Sequence, residues 1–465
     1  MTKPHTLKEL KRSRYRVLPV REEMRKNLIA KMKAGEALFP DIIGYENTVI
    51  PQLENAILAG HDMIFLGERG QAKSRLIRNL TQLLDEEIPT VKGCEINDNP
   101  FAPICKSCRQ KAMEHGDSLE VEWITREHRY AEKLATPDVT IADLIGEVDP
   151  IKVAEGKYLS DEEVIHFGLI PRVNRGIFSI NELPDLAEKV QVGLFNIMQE
   201  RDVQIKGFSV RLNLDVLVVA SANPEDYTNR GRIITPLKDR YSSQIRTHYP
   251  VSPAVEAAIV EQERRRFDEN GYAIVLPSFM QEILTQITFL ARQNPDVNQH
   301  SGVSVRMSIS NTECLLGNAE KRAIRLGEKE VVPRITDLPS ITCSTAGKLE
   351  IDSLSLDGHE AKLINHLINE AVKQTFDKYF DVRSLSSVIA AFQKGASVVV
   401  SDSVSSEDYL SQFSQIEELT STAEAFCPRC SPAMYASVAE FILEGLYLHR
   451  CIHKESLGTK ARYKG

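Results

Sequence analysis

The stretch His61–Leu84, HDMIFLGERGQAKSRLIRNLTQLL, decides the fold. An apolar strand runs into a glycine loop, GERGQAKS, and a helix follows, which is how an α/β unit on a parallel sheet opens. The loop fits the phosphate-binding pattern from Gly67 through Lys73 to Ser74. In such a loop the backbone N–H groups, here those of Gly67, Glu68, Arg69, Gly70, Gln71 and Ala72 on to Arg75, wrap the phosphates of a nucleotide. The Lys73 ammonium reaches the β and γ oxygens and the Ser74 hydroxyl holds magnesium. Ala72 stands where glycine is usual, and its methyl is tolerable if the residue takes no positive φ.

A second stretch, RGIFSINELPDL from Arg175 to Leu186, bears on the same chemistry. Its apolar strand delivers Asn181 and Glu182 where a hydrolytic nucleotide site would present aspartate and then glutamate. Glu182 is expected to orient or deprotonate an attacking water, with Asn181 in the second shell of the magnesium ion through a bound water. An amide keeps the acceptor and removes one negative charge, so metal affinity should fall without the site being abolished. The plain alternative is a buried strand meeting a helix. Asn223, ending VLVVASAN, suits a polar sensor beside the γ-phosphate or, more simply, a cap on the NPED turn. Arg240, in PLKDRYSS, is the candidate arginine finger toward a neighbouring subunit, with Arg230 and Arg232 as substitutes and a surface salt bridge as the competing view.

The whole chain sets the frame. At 465 residues, with 42% hydrophobic and 26% charged residues, it is globular and long enough for about two to four packed units. A net charge of -8 argues against dedicated nucleic-acid or anionic-membrane binding. The start is basic but lacks a signal-peptide core, and no run approaches the roughly 20 apolar residues of a membrane span. A soluble, cytoplasmic protein is therefore expected. The stretch from about Asp85 to Arg175 reads as an insertion or elaborated connection. RDVQIKGFSVRLN reads as a hairpin turning at Lys206 and Gly207.

The segments FPDIIGYENTVIPQLENAI, GERGQAKSR, GLIPRVNRGIFSINELPDL, LVVASANPED and PLKDRY follow one another in the order of the ATPase subunit of magnesium chelatase. From about Phe39 to Pro250 the chain resembles that family, within the AAA+ superfamily. The resemblance implies an α/β AAA+ P-loop domain with a parallel sheet and insertions over 39–250; helical spacing on either side of it gives a basic arm and helix over 1–38, a helical lid over 251–330, and a mostly helical region over 331–465. It implies ATP and Mg2+ as cofactors and a ring, usually a hexamer, with ATP at subunit interfaces. Val148 to Gly168 would be an insertion in the second helix of the core. With the hairpin Gln204 to Leu212 it would face the working surface of the ring. Ile43 and Tyr45 would border the adenine, and Arg306 of GVSVRMS would be the lid's sensor arginine.

Asn181 departs from the family's aspartate, and the tail beyond about Val331 is longer than a chelatase lid, so the client is not inherited. MoxR-type ATPases also carry alanine before the loop lysine and work with von Willebrand factor A partners, which makes a chaperone role as fitting as metal insertion. Two rivals differ in class. An ATP-dependent transcription regulator of the enhancer-binding type shares the core, but no helix-turn-helix is evident and the balance is acidic. A nucleotide-sensing scaffold with little turnover is kept open by Asn181.

Eight cysteines without a secretion signal read as reduced thiols. Cys105 and Cys108 form a C-x-x-C near Cys94, His115 and His128; Cys427 and Cys430 form another before His449, Cys451 and His453. Both sets contain zinc-ligand types, but neither has a second C-x-x-C at finger spacing, so structural zinc is the secondary reading. The stripe Val438, Phe441, Ile442, Gly445 and Leu446 reads as core or subunit contact.

Overall fold

A computed structural model describes residues 3–149, 151, 164–200, 202–204, 211–223, 232–266, 271–298, 302–350, 359–457 and 460–465. The chain divides into two compact units, Met1–His248 and Tyr249–Gly465.

The first unit is built on five strands, β1 (Met63–Leu66), β2 (Tyr130–Leu134), β3 (Gly176–Asn181), β4 (Val216–Ala222) and β5 (Ser243–Arg246). They lie in the order β5-β1-β4-β3-β2, every neighbouring pair parallel. All residues of β3 and β4 are buried, which is why both read as near-continuous apolar runs: a parallel sheet is covered on both faces. The side chains alternate between the two covers. Met63, Phe65, Ile177, Leu217 and Val219 pack with the helices Val20–Ala34, Val49–Leu58 and Lys73–Asn79. Ile64, Phe178, Ile180, Val218 and Ala220 pack with the helix Glu188–Glu200.

The sequence predicts only an insertion or connection over 85–175, yet it contains an edge strand of the parallel sheet, β2, whose YAEKL carries too much charge to look buried. Before β2, Glu87–Val91 and Val121–Thr125 pair antiparallel. The basic arm is bound to this pair: Thr6 bridges Glu120, Val121 N donates to His5 O at 2.8 Å, and the Trp123 indole donates to Pro4 O at 2.9 Å. Gly146–Val148 pairs with Ile165–Phe167, and Asp202–Gln204 with Arg211–Asn213, both antiparallel. Most of the predicted insertion Val148 to Gly168, the hairpin turn at Lys206 and Gly207, and Arg230 lie outside the described residues.

In the second unit the helices Ser278–Gln293, Val305–Leu326, His359–Tyr379 and Pro432–Leu448 share one apolar cluster running from Phe279 to Tyr463. The stripe Val438, Phe441, Ile442, Gly445 and Leu446 is buried in it. A three-stranded antiparallel sheet, Ser397–Ser401, Lys460–Lys464 and His453–Leu457, joins the helices of the tail. No described helix is long and apolar enough to cross a membrane.

One ion pair ties the first cover helix to the sheet. Arg129, fully buried just before β2, forks onto Glu23 at 2.8 and 2.6 Å and also donates to Arg175 O. Glu23 in turn accepts from Asp85 N at 2.6 Å. Truncating one partner strands the other charge in the interior. Glu23→Ala should therefore lower the unfolding free energy by about 3–5 kcal/mol, read from urea titration of the purified variant.

Candidate nucleotide site

The site residues come together because the strands end on one edge. Leu66 pairs with Ala222, and Gly67 N donates to Ala222 O at 3.2 Å. The phosphate loop therefore starts beside Asn223, and β3, the next strand over, ends in Asn181 with Glu182 after it. This carboxyl edge is where ligands bind in open α/β sheets.

The loop is braced by the residue following β5. Thr247 N donates to Leu66 O at 2.8 Å, and its hydroxyl donates to Gln71 Oε1 at 2.7 Å, the same oxygen that accepts Glu68 N at 3.0 Å. A Cβ on Gly67 would lie 1.9 Å from the Thr247 hydroxyl and 2.2 Å from Gln71 Oε1, so a side chain here would displace both braces. The buried Lys73 ammonium donates to the Gly67 and Glu68 carbonyls, the latter at 2.8 Å. Ser74 and Arg75, both half-buried, form the first helical turn with it, while Arg69 is exposed. Gly70 has φ 75 and Ala72 has φ 55, ψ 15. The condition that excused alanine at this position is thus not met: Ala72 is left-handed and its methyl costs about 1–2 kcal/mol.

Tyr45 abuts the loop, its hydroxyl 2.9 Å from Gln71 O and 2.8 Å from His248 O; burial pushes its phenol up to about 12. Ile43, half-buried, precedes it by two residues. A cavity of about 440 Å³ opens against Gly67, Glu68 and Gln71 and is also lined by Lys238, Arg246 and Thr247. Arg246 and Thr247 escape a motif search because they follow β4 at no fixed spacing from the glycine loop.

The end of β3 is knit by one hydroxyl. Ser221 Oγ donates to Asn181 Oδ1 at 3.2 Å and accepts Glu182 N at 3.3 Å. Glu182 itself is left-handed, φ 54 and ψ 49, a strained conformation of the kind that clusters at functional sites. The Asn181 amide nitrogen donates to Glu132 on β2. Glu132 is the residue missed by the sequence reading. Arg78 forks onto it at 2.7 and 2.9 Å and Tyr130 donates at 3.0 Å; the guanidinium bonds hold its carboxyl below the usual range. A negative charge thus does stand at this edge, one strand away from the position expected for it.

Asn223 is 1% exposed, and among the described residues its Oδ1 has no hydrogen-bond partner. An orphaned buried acceptor, a loop closed to any Cβ and a buried ammonium together fit a magnesium nucleotide. Arg240 is exposed on the helix Thr235–Arg240, lying 5.4 Å over the Phe195 ring and donating to Gln199 at 3.2 Å. Arg232 is exposed too. Arg306 belongs to the second unit, in the first turn of Val305–Leu326.

No protein-family model matches the chain. It is similar to magnesium-chelatase subunit ChlI of Nostoc sp., 29% identical over 264 residues, covering 55% of this chain and 64% of that protein. It is also 29% identical to ChlI of Anabaena variabilis over 237 residues, covering 50% of this chain and 64% of that protein. The chain has an α/β P-loop fold with a parallel sheet and resembles the ATPase subunit of magnesium chelatase. It spans about 64% of the length of these curated relatives. Among solved structures, the complex of subunits BchI and BchD of magnesium chelatase aligns with a TM-score of 0.35 and 19% identity, over 70% of this chain and 98% of that one. Hsp104 in its closed state aligns with a TM-score of 0.40 and 12% identity, over 66% of this chain and 49% of that one.

The two cysteine sets behave differently from one another. Cys94, Cys105 and Cys108 converge with Asp98; His115 and His128 do not join them. Cys427, Cys430, Cys451 and the nearby histidines form no such group among the described residues, and His449 pairs with Asp377 at 2.8 Å.

Two outcomes follow from the loop and the edge. Ala72→Gly should leave stability within about 1 kcal/mol of the parent or raise it, since relief of the left-handed strain offsets the added freedom of the unfolded chain. Urea unfolding measures it. Asn181→Asp should lower stability at neutral pH by about 1–3 kcal/mol, because the new carboxylate faces Glu132 where a donor stood. The pair would raise one carboxyl's folded pKa above its unfolded value. The penalty should thus be full above the folded pKa and shrink as pH falls through it to the ordinary carboxyl range, read by repeating the titration at acid pH.

Proposed function

We propose that the first unit binds ATP with magnesium and hydrolyses it, and that subunits assemble as a ring, a hexamer, whose turnover remodels a partner protein. The observation that carries this reading is the convergence of the phosphate loop, Glu182 and the unpartnered Asn223 on one carboxyl edge of the sheet. The loop N–H groups and Lys73 hold the phosphates, and Lys238 and Arg246 add positive charge to the adjoining cavity. Tyr45 and Ile43 stand beside the loop for the base. Ser74 and, through water, Asn181 would hold magnesium, which neutralises charge on the phosphate oxygens. Glu182, its backbone fixed through Ser221, orients or deprotonates the attacking water. Asn223 holds that water or a γ oxygen.

Arg240 serves the neighbouring subunit as the finger, and Arg306 acts as the sensor of the lid. The partner is a client protein or a von Willebrand A domain protein, in the manner of a chelatase or a MoxR-type chaperone. The chelatase relatives support a metal-loading client and the alanine before Lys73 supports a chaperone one.

Lys73→Ala should weaken nucleotide binding by about 1.5–3 kcal/mol, measured by fluorescent nucleotide titration. Glu182→Gln should keep that binding and slow steady-state phosphate release by about 10²–10⁴-fold. Unchanged binding in the first variant sinks the phosphate-loop assignment. Arg240→Ala and Glu182→Gln subunits, each inactive alone, should regain partial turnover when mixed. If mixed rings form and stay inactive, the finger does not act in trans.

A further inference from the structure

The excursion between the strands Glu87–Val91 and Val121–Thr125 holds a side-chain cluster unrelated to the nucleotide site. One ligand atom from each of Cys94, Asp98, Cys105 and Cys108 lies within 4.8 Å of all the others. In a tetrahedral zinc site with bonds near 2.3 Å to sulfur, ligand atoms sit ~3.8 Å apart, so a contraction of about 1 Å or less completes the site. Asp98 and Cys108 are 0% and 1% exposed and Cys105 6%. All three sulfurs are free of disulfides.

The backbone is arranged for negative ligands. Cys94 Sγ accepts from Ile96 N and Asp98 N, both at 3.4 Å. Asn97 between them is left-handed, φ 53, which turns both N–H groups onto one sulfur. Cys105 Sγ accepts from Cys108 N at 3.3 Å and caps the helix Lys106–His115, so two of the sulfurs sit at its positive end. The Asp98 carboxylate accepts Ile104 N at 3.0 Å and Cys105 N at 2.9 Å. No cation pairs with Asp98 among the described residues. Asp98, Cys105 and Cys108 are buried and Cys94 is half-buried, and a cation among them would neutralise whatever negative charge they carry.

We propose that Cys94, Cys105 and Cys108, with the Asp98 carboxylate, form a structural zinc site. Three thiolates and a carboxylate around Zn2+ carry the same net charge as four thiolates, and the five backbone N–H groups supply the outer shell that fixes the ligands. Four protein ligands close the site to substrate, so its role is to hold the excursion in shape. Asn97 carries that order onward, its amide donating to Arg172 O at 2.7 Å in the segment leading into β3. Neither C-x-x-C alone nor the histidines mark this site; Asp98 completes it.

The full chain, purified without chelator, should contain about one zinc per chain by plasma emission, released when a mercurial titrates the thiols. Cys94→Ser and Cys105→Ser should lose the metal, whereas Cys427→Ser with Cys430→Ser should keep it. Should the first two variants not fold, the parent grown on cobalt carries the test: thiolate-to-cobalt charge transfer and the visible bands of tetrahedral cobalt are expected. A folded parent that holds neither zinc nor cobalt overturns the proposal. So does a reductant-sensitive disulfide between any two of the three cysteines. These readouts are independent of ATP turnover, so this site and the nucleotide site stand or fall separately.

Discussion

The hydrogen bond from Gly67 N to Ala222 O is the constraint on which the nucleotide site depends. It can form only if β1 and β4 are parallel neighbours with Leu66 opposite Ala222. That pairing sets the first residue of the phosphate loop beside Asn223. Because β3 is the next strand over, it also brings Asn181 and Glu182 to the same edge. The long excursions between the strands are tolerated because each leaves and rejoins the sheet without disturbing this edge; loop length adds little to the cost of closure.

Two of the strained backbone positions sit where the braces are. Ala72 and Glu182 are both left-handed without being glycine. Each is held by neighbours that leave it little choice: the loop by Thr247 and Gln71, the turn after β3 by Ser221. Such conformations persist only when surrounding contacts over-determine them. The loop has given up conformational ease at Ala72 and kept it at Gly67, where Thr247 and Gln71 leave no room for a methyl group. One glycine is demanded by packing, the other position only by backbone preference.

The phosphate loop, β3 and β4 were legible because each announces itself locally, by motif or by an unbroken apolar run. β2 was not, since Glu132 and Lys133 break the pattern in a strand at the sheet's edge. Lys238 and Arg246 were present as ordinary charged residues; nothing local indicates that the chain returns them to Gly67. The cysteines were visible, but their fourth partner was not, because an aspartate four residues beyond Cys94 resembles a turn residue until the loop is closed. The small sheet of the tail escaped for a related reason: its strand Ser397–Ser401 pairs with Lys460–Lys464 across long sequence separation, which no local signal encodes.

The amide at position 181 is best understood through its neighbours. Glu132 is locked by Arg78 and Tyr130, and it presents a carboxylate oxygen to the end of β3. Ser221, fixed between Asn181 and the Glu182 N–H, presents a donor from the other side. A side chain between a fixed acceptor and a fixed donor must offer both functions, and asparagine does so within the length of an aspartate. Aspartate would satisfy Ser221 and repel Glu132. Decay would remove partners and leave groups unsatisfied, whereas here each polar atom of the Asn181 side chain has a complementary one. Asn181 is thus the consequence of a carboxylate on the adjacent strand, and the charge balance of the edge is set by Glu132, Asn181 and Glu182 together.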